Sequence, residues 1–289
     1  MSFPVVISSG DLTARIDPLG AELVSLQDAA GRELMTAADP AHWTGHAPLL
    51  FPIVGRLNGD VLRLDGREYP MKQHGFARRL EWDLPGTGGD AVTFVLRDSP
   101  ATREAYPFAF ELAVLYALEG ATLMVTVRVG NPGPEPLPMS FGFHPAFAWP
   151  LPSGCPREDH RIVFERDEGS GITQLAGGLV AARVPSPLQG RTLPLSDDLF
   201  ANDALVWAPV ASQQVIYGAS KGPQLRVSFP DTPFLGVWTQ PGAQFVCIEP
   251  WHGHADPAGF TGDFRDKPGI VTVQPGAEWR CTMRVTLEA

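Results

Sequence analysis

The carboxylate of Glu249 interrupts a stretch of apolar residues near the C-terminal end of the chain. Residues 245–248 before it are apolar, and Pro250 and Trp251 follow it directly. We expect this stretch to form a buried strand that ends at the acid, beside aromatic side chains. Because poor hydration disfavours the ionised form, burial there would raise the pKa of Glu249 and suit it to act as a general base. The alternative is a structural acid that pairs with an arginine at a strand end.

A second group that could move protons is the imidazole of His144. Phe141 and Phe143 precede it, and Pro145 restricts the chain directly after it. An imidazole has an unperturbed pKa of about 6.5, so it can donate or accept a proton at neutral pH. The alternative is a core histidine that bonds to a backbone carbonyl.

Basic side chains in loops could bind a polar ligand. His74 and Arg78 lie in the polar segment 72–79, where Gly75 permits unusual backbone dihedral angles. Their side chains could donate hydrogen bonds to hydroxyl groups or to a phosphate. A solvated basic loop is the alternative for this segment. Arg56 follows the proline-bracketed apolar run 48–55, so we expect it to emerge where that run ends.

Histidines near the C-terminal end raise the question of a metal site. His252, His254 and Asp256 lie close together in the sequence, and neighbouring imidazoles can share an ion. The spacing is loose, and a surface loop capped by Asp256 is the simpler interpretation. The chain has no glycine-rich phosphate loop and no GxSxG motif, which argues against nucleotide hydrolysis and serine esterase chemistry.

The sequence pattern of the segments that carry these polar side chains is typical of antiparallel strands. Short runs rich in Val, Leu, Phe and Thr alternate with clusters of Gly, Pro, Asn and Asp, and long helical periodicity is almost absent. In the last segment, apolar residues at odd positions 279–287 alternate with polar residues, which predicts a strand with one solvated face. Hairpins are predicted for 61–64 with 67–69, 80–84 with 91–97, and 110–118 with 123–129. These features predict an all-β protein, a large antiparallel β-sandwich.

Composition and charge limit the partners. The 289 residues are 44% hydrophobic, enough for a large core, and we expect one domain over residues 1–289. The formal net charge of −10, without a concentrated basic face, argues against a nucleic-acid partner. The three cysteines lack CxxC spacing and read as reduced core thiols. With no leader-like or membrane-spanning run, we expect a cytoplasmic protein without membrane contact.

Four ordered motifs resemble those of the aldose 1-epimerase (galactose mutarotase-like) family, and the LacX-type branch is the most similar. The motifs are LFPIVGRL at 50–57, QHGFAR at 73–78, FGFHPAF at 141–147 and CIEPW at 247–251, followed by Gly253 and Asp256. Together they span nearly the whole chain. The resemblance implies a galactose mutarotase-like supersandwich with a cleft for a pyranose, no metal and no cofactor.

The same resemblance implies interconversion of the α and β anomers of an aldose. In that family a late glutamate is the base and a central histidine is the acid, and these correspond to Glu249 and His144. The arginine and histidine that hold the sugar correspond to Arg56 and His74. A further sugar-binding aspartate corresponds to Asp203.

Aromatic residues and one arginine bear on the substrate. Trp251 and Trp238 would offer apolar faces to the C–H surface of the sugar. Phe143 stands where the better-known galactose mutarotases have an asparagine, and this difference argues against galactose itself as the substrate. Arg78 matches an arginine that lies near the phosphate in relatives acting on hexose 6-phosphates.

We therefore expect a mutarotase for an aldohexose or a phosphorylated hexose, a monomer or homodimer with a small-molecule sugar as its partner. Ring opening needs one group to take the proton of the C1 hydroxyl and another to protonate the ring oxygen. One alternative is a non-catalytic sugar-binding or sensing domain with the same fold. The other is a cupin-like metalloenzyme that uses Glu249, His252, His254 and a histidine distant in the sequence.

Overall fold

The regular structure of the protein consists almost wholly of short strands. The computed structural model describes residues 3–169 and 171–288. In chain order, the strands are β1 (Val5–Ser8), β2 (Leu12–Asp17), β3 (Glu22–Asp28), β4 (Leu49–Leu50), β5 (Val61–Leu64), β6 (Arg67–Pro70), β7 (Asp83–Gly88), β8 (Ala91–Arg97), β9 (Glu111–Glu119), β10 (Thr122–Gly130), β11 (Leu137–Met139), β12 (Phe141–Phe143), β13 (Ala146–Ala148), β14 (Arg161–Phe164), β15 (Gly171–Ala176), β16 (Leu179–Pro185), β17 (Thr192–Pro194), β18 (Leu205–Trp207), β19 (Gln214–Gly218), β20 (Gln224–Ser228), β21 (Phe234–Trp238), β22 (Phe245–His252), β23 (Val271–Val273) and β24 (Glu278–Glu288).

The helical segments are short. Helix α1 covers Pro100–Ala105, and single 3-10 turns cover Asn58–Asp60, Ala77–Arg79, Arg157–Asp159, Asp197–Phe200 and Phe264–Asp266. Within the described part of the chain, no helix has the length and apolar character needed to cross a membrane.

Two large antiparallel sheets dominate the fold. Among the described residues, the nine-stranded sheet follows the order β17-β14-β19-β20-β24-β10-β9-β8-β7. The eight-stranded sheet follows β16-β15-β18-β21-β22-β12-β4, and β13 pairs with β22 as a side branch. Three smaller sheets, β1-β2-β3, β5-β6 and β11-β23, complete the strand pairing of the same residues.

The two large sheets pack face to face around an apolar core. Strands β10 and β24 contribute Val125 and Met283 from the nine-stranded sheet, and β22 contributes Val246 and Ile248 from the eight-stranded sheet. All four side chains are buried. Loss of this apolar surface from water is the main stabilising contribution to such a fold. The architecture is therefore the antiparallel β-sandwich that the sequence predicted.

The predicted hairpins match the strands with one shift. Strands β5 with β6 and β9 with β10 form hairpins at the predicted places. The partner of β8 begins at Asp83 and not at Leu80. The reason is local: the carbonyl of Leu80 accepts a bond from Gly20 N–H, and Trp82 N–H donates to the carbonyl of Pro18. Residues 80–82 are thus held by the N-terminal segment and cannot join the hairpin.

The last strand, β24, shows the predicted alternation. Cys281, Met283 and Val285 are buried, and Arg284 is exposed. Thr282 differs, because its side chain is buried against β10, where its hydroxyl lies 3.1 Å from that of Thr126.

Strand β22 is longer than expected. It continues through Glu249 to His252, so the acid lies within the strand and not at its end. Pro250 does not stop the strand, because its nitrogen points to the side of β12, whose pairing with β22 ends at Gly142 and Trp251. Ile248 N–H donates to the carbonyl of Pro145 on that side. Two residues further, the ring nitrogen of Pro250 points the same way and faces Phe143, the last residue of β12 before the interruption.

Candidate active site

The strand that would pair with Glu249 is interrupted at His144. Strand β12 pairs Gly142 with Trp251, and β13 continues in the same register after the interruption. The position opposite Glu249 in that register is His144. Side chains directly opposite each other in an antiparallel pair lie on one face, about 4.5–5.5 Å apart at Cβ. The register of the sheet thus brings together two residues that are far apart in sequence.

The imidazole and the carboxylate are in direct contact and almost dry. His144 Nε2 lies 3.2 Å from Glu249 Oε2, and the two side chains are 8% and 2% exposed. Burial, with a further contribution from the nearby Asp203 carboxylate, raises the pKa of Glu249 well above its usual range. Burial also lowers the pKa of His144 to about 3, and the charge of Arg78 acts in the same direction. Each group alone is therefore favoured in its neutral form, and their contact lets them share one proton.

Apolar side chains keep water from Glu249. Two residues on the same face of β22, Phe245 and Cys247, belong to a small buried cluster covered by Trp43 and Trp238. Among the described residues, the ion-pair partner of Glu249 is the imidazole of His144, and no arginine pairs with it. The interpretation of this acid as half of an arginine pair is therefore wrong.

The indole of Trp251 fills a space that two glycines leave open. A Cβ on Gly236 of β21 would lie 2.5 Å from the indole ring, and one on Gly142 of β12 would lie 2.6 Å from it. Any larger residue at either position would displace the ring. The indole Nε1 is buried next to the carboxylate of Glu249, and its hydrogen bonding to that carboxylate lowers the pKa of Glu249 against the larger effect of burial.

A cavity of about 280 Å³ opens on this face of the eight-stranded sheet. Small-molecule pockets typically enclose roughly 300–1,000 Å³, so this one suits a small ligand. Among the sequence-predicted residues, those that line it are Glu249, His144, His74, Arg78, Asp203, Trp251 and Trp238. Other parts of the wall come from Trp43 and from the β15–β16 hairpin, through Leu175, Gly178 and Val180.

His74 is held as a neutral hydrogen-bond donor. Its Nδ1 accepts a 3.1 Å bond from Gly55 N–H, so a neutral ring carries its proton on Nε2. Burial, followed by His144 and Arg78, lowers its pKa well below the usual range. The loop fits here because Gly75 has φ +68°, and a Cβ there would lie 2.1 Å from the carbonyl oxygen of Phe51. The loop is therefore built into the wall and is not a freely solvated segment.

Arg78 brings a positive charge to the cavity wall, and the nearest carboxylate that favours this charge, Glu22, acts on it without a direct ion pair. Its Nη2 donates to the carbonyl of Gln73 at 3.2 Å. Its Nε is buried without a partner, and within the described residues its guanidinium makes no ion pair. Burial and neighbouring Arg79 lower its pKa to about 10, so it remains charged at neutral pH. A guanidinium that lines a cavity without a direct ion pair is an attachment point for oxygen-rich or anionic ligands.

Asp203 lies on the exposed rim of the cavity, whereas Arg56 lies outside it. Asp203 has φ +78°, and its Oδ1 accepts a bond from Ala204 N–H. Arg56 does not line the cavity, contrary to expectation: its Nε lies 2.8 Å from Asp60 Oδ1 in an exposed ion pair. Its stem packs behind Gly178, so it supports the wall from outside.

The histidines after Glu249 do not form a metal site with it. Alternation along β22 turns His252 to the face opposite Glu249, where its Nε2 donates to the carbonyl of Asp231. His254 lines the cavity, but its Nδ1 donates to a carbonyl of its own loop at 2.8 Å. Within the described residues, this ligand set of the cupin-like alternative is not assembled.

Trp43 is a cavity residue that the sequence did not single out. Its ring stacks on the imidazole of His144, with centroids 5.1 Å apart and planes at 30°, and meets Trp238 edge-on at 5.7 Å. It lies in an irregular segment where one aromatic residue among polar ones gives no periodic signal. Because the indole covers the imidazole, it limits the access of water to His144.

The arrangement can perform acid and base chemistry on a polyhydroxylated ring. A carboxylate and an imidazole in contact can move protons between two oxygens of one ligand. Aromatic faces beside them suit the C–H surface of a sugar, and the neutral His74, Arg78 and Asp203 offer hydrogen bonds to hydroxyls.

Comparison with known proteins gives consistent matches. A family model described as aldose 1-epimerase matches residues 5–286. The plasmid-encoded LacX protein of Lactococcus lactis subsp. lactis is 33% identical over 276 residues, which cover 91% of this chain and 92% of that protein. A galactose mutarotase related enzyme from Lactobacillus acidophilus matches with a TM-score of 0.94 and 32% identity, over 99% of this chain and 98% of that one. A galactose mutarotase-like protein from Lactobacillus casei matches with a TM-score of 0.92 and 30% identity, over 99% and 100%.

The antiparallel sandwich and these structural matches define the class: the fold is that of the galactose mutarotase-like proteins. Because the family model matches nearly the whole chain, the protein belongs to the aldose 1-epimerase family.

Proposed function

We propose that this protein is a mutarotase, which interconverts the α and β anomers of an aldohexose by opening and closing the pyranose ring. The observation that carries the proposal is the 3.2 Å contact between His144 Nε2 and Glu249 Oε2 in one aromatic-walled cavity. Membership of the aldose 1-epimerase family supports the same class of reaction.

The proposed reaction begins with the shared proton on the imidazole. The carboxylate of Glu249 takes the proton of the C1 hydroxyl while the C1–O5 bond breaks and O5 takes the proton of His144 Nε2. Rotation about C1–C2 then presents the other face of the aldehyde. Ring closure reverses both transfers, so each group regains its starting state and no proton is left over. Each of the two proton transfers can contribute roughly a hundredfold to ten-thousandfold in rate.

The first test replaces the base without changing its size. We expect Glu249→Gln to fold normally and to lose roughly a hundredfold to ten-thousandfold of the mutarotation rate, because an amide cannot take the C1 hydroxyl proton. Polarimetry of freshly dissolved α-glucose and α-galactose measures this rate. Glu111→Gln is the matched control, since Glu111 is on the nine-stranded sheet and pairs with Arg97.

Two results would count against the proposal. A Glu249→Gln variant as fast as the parent would remove the assignment of the base. A parent protein that binds a sugar calorimetrically but does not accelerate mutarotation would point to the non-catalytic sugar-binding alternative.

The finer proposal concerns the substrate, which we infer carries a charged substituent such as a phosphate. The support is the partly buried guanidinium of Arg78, which lines the cavity without a carboxylate partner. Leaving such a charge unpaired is unfavourable unless the ligand supplies an anion.

Rates on a hexose and on its 6-phosphate test this substrate class. We expect Arg78→Gln to lower kcat/KM for the phosphorylated sugar by about tenfold to a hundredfold, since a hydrogen bond to a charged group contributes about 1.5–3 kcal/mol. The loss on the unphosphorylated sugar should be smaller. Arg79→Gln is the control, because Arg79 is exposed and its Nη1 donates to the carbonyl of Gly75. Equal losses on the two sugars would contradict a charged substituent.

A further inference from the structure

Cys247 lies beside the acid and base residues but has no role in the proposed reaction. It is fully buried in β22. Its Sγ, one imidazole nitrogen of His144 and one carboxylate oxygen of Glu249 all lie within 4.8 Å of one another. Among the described residues, this is the grouping of three potential metal-ligating side chains that the fold assembles.

The backbone positions of these three residues suit a metal ion. Cys247 and Glu249 are two apart on one strand, so their side chains leave the same face. His144 lies directly across from Glu249, at the interruption between β12 and β13. Two ligands from one strand and a third from its neighbour form a triangle over the sheet. A fourth position would face the cavity, as in zinc sites that keep one coordination position open.

The separations are close to those that coordination requires. Zn²⁺ binds a thiolate at about 2.3 Å and an imidazole or carboxylate at about 2.0–2.2 Å, so tetrahedral ligand atoms lie roughly 3.3–3.8 Å apart. His144 Nε2 and Glu249 Oε2, at 3.2 Å, lie just below this spacing. A contraction of about 1 Å would bring the widest pair of the three into range. Rotation of short side chains can supply this shift without moving the sheet.

We propose that His144, Cys247 and Glu249 form a binding site for a thiophilic divalent cation such as Zn²⁺ or Cd²⁺. A cation held there would occupy the two groups proposed to move protons, and would therefore block them. Thiolate, carboxylate and neutral imidazole are a donor set that suits these ions. The inference does not depend on the proposed function, because ion binding can be measured without a sugar.

The charges of the bound site balance. Burial and the neighbouring carboxylate raise the pKa of Cys247, so the free protein holds the thiol. The cation forms its bond with sulfur as the thiol proton leaves to solvent, and a proton on Glu249 leaves in the same way. One thiolate and one carboxylate then neutralise the two positive charges, which a buried site requires.

The ion has a route to the site. His144 and Glu249 line the cavity, whereas Cys247 lies just beneath Trp43 and Trp238. Trp43 is in an irregular loop segment and is only partly buried. An ion can therefore meet the imidazole and the carboxylate first and gain the sulfur as a third ligand.

Cd²⁺ titration of the folded protein tests the proposal, because a cadmium–thiolate bond gives an ultraviolet charge-transfer band. All variants in this test should carry Cys155→Ser as a common background, because this change removes a thiol that is not buried. We expect one equivalent of Cd²⁺ to produce the band in this background. Adding Cys247→Ser should abolish the band and weaken Cd²⁺ binding by at least about tenfold, the smallest loss typical of damage to a metal site.

Cys281→Ser in the same background is the matched control, because Cys281 is equally buried but lies in β24 of the other sheet. It should leave the band and the affinity unchanged. Glu249→Gln provides a second probe that keeps the sulfur, and it should also weaken Cd²⁺ binding by at least about tenfold. The proposal is overturned if the background gives no band, if the band survives Cys247→Ser, if it is lost in Cys281→Ser, or if Glu249→Gln binds as tightly as the background.

Discussion

Glu249 and His144 are each buried in surroundings that disfavour a charge, yet the two side chains are in direct contact. Burial raises the pKa of the acid and lowers that of the imidazole, so the neutral pair is favoured in the free protein. Attraction across 3.2 Å favours the charged pair instead. These opposing effects reduce the free-energy difference between the two proton positions, which is what reversible proton transfer needs.

This balance predicts an unusual pH profile. The working form carries one proton on the pair, so activity should persist as the pH falls through 6.5, the ordinary pKa of histidine. It should decline only toward the lowered pKa of His144, about 3. On the alkaline side, activity should decline as the pair loses its shared proton. Because burial raises the pKa of Glu249, this decline should begin above 4.5, the ordinary pKa of a glutamate. Polarimetric rates across this range, corrected for the uncatalysed reaction, check the profile. An acid limb centred near pH 6.5 would refute it.

Residue identities alone indicated part of this cavity. Glu249 and His144 could be singled out because acidic or basic groups next to aromatic runs are unusual. Arg56 was misleading, because its position at the end of an apolar run said nothing of Asp60, four residues later, which holds it outside the cavity. Trp43 could not be found, because its contact with His144 joins segments whose approach depends on the whole fold.

Among the elements, the interrupted strand opposite β22 is the decisive feature. Alternation and turn signals along the sequence predicted β24 and the hairpin strands, but they could not predict that β12 and β13 share one register across a gap. Pairing between strands far apart in sequence leaves no local pattern. For the same reason, the continuation of β22 past Pro250 was missed, since a proline is tolerated in a strand only where pairing with the neighbour does not need its N–H.

The close fit of Trp251 between β12 and β21 leads to a prediction at this scale. We expect Gly236→Ala to lower the free energy of unfolding by about 1–3 kcal/mol, the usual penalty of overpacking, because the new methyl group would meet the indole at 2.5 Å. It should also lower kcat/KM, since the ring must move into the cavity. Urea unfolding and polarimetry measure the two effects.

Two further variants separate the indole contact from a general effect of alanine. Gly86→Ala is the control, because no atom lies within 4 Å of a Cβ placed there on the edge strand β7. Combining Gly236→Ala with Trp251→Phe should recover part of the stability, since the smaller ring leaves room. If the double variant is no more stable than Gly236→Ala alone, the indole is not the source of the strain.

At the scale of the whole molecule, Asp256 links several segments of the chain that surround the cavity. Its N–H donates to the carbonyl of Arg56, its carbonyl accepts from Val180 N–H, and its Oδ2 accepts from Asn58 N–H. Its Oδ1 lies 3.4 Å from Nζ of Lys267, whose side chain is wholly buried. One residue thus connects segments separated by up to about two hundred positions, near one end of the cavity.

Removing the cation from this junction should destabilise the fold. We expect Lys267→Met to lower the free energy of unfolding by about 3–5 kcal/mol, because the Asp256 carboxylate would remain buried without a countercharge. Lys267 is charged at neutral pH, although burial lowers its pKa to about 8. Urea unfolding measures the change.

Arg265→Met is the comparison, since Arg265 pairs with Asp65 at the surface and such pairs contribute about 0–1 kcal/mol. Similar losses of unfolding free energy in the two variants would mean that the buried pair stabilises the fold no more than the surface pair does.

Glu249 stands within β22 and His144 stands at the interruption of the neighbouring strand, whereas much of the cavity wall comes from loops and a hairpin. The distance between strands, about 4.7–4.9 Å, is a constant of backbone hydrogen bonding. Loops tolerate substitution and insertion far better than paired strands do. Substitutions in those loops can therefore reshape the space offered to a ligand, while the register of the paired strands on either side keeps His144 opposite Glu249.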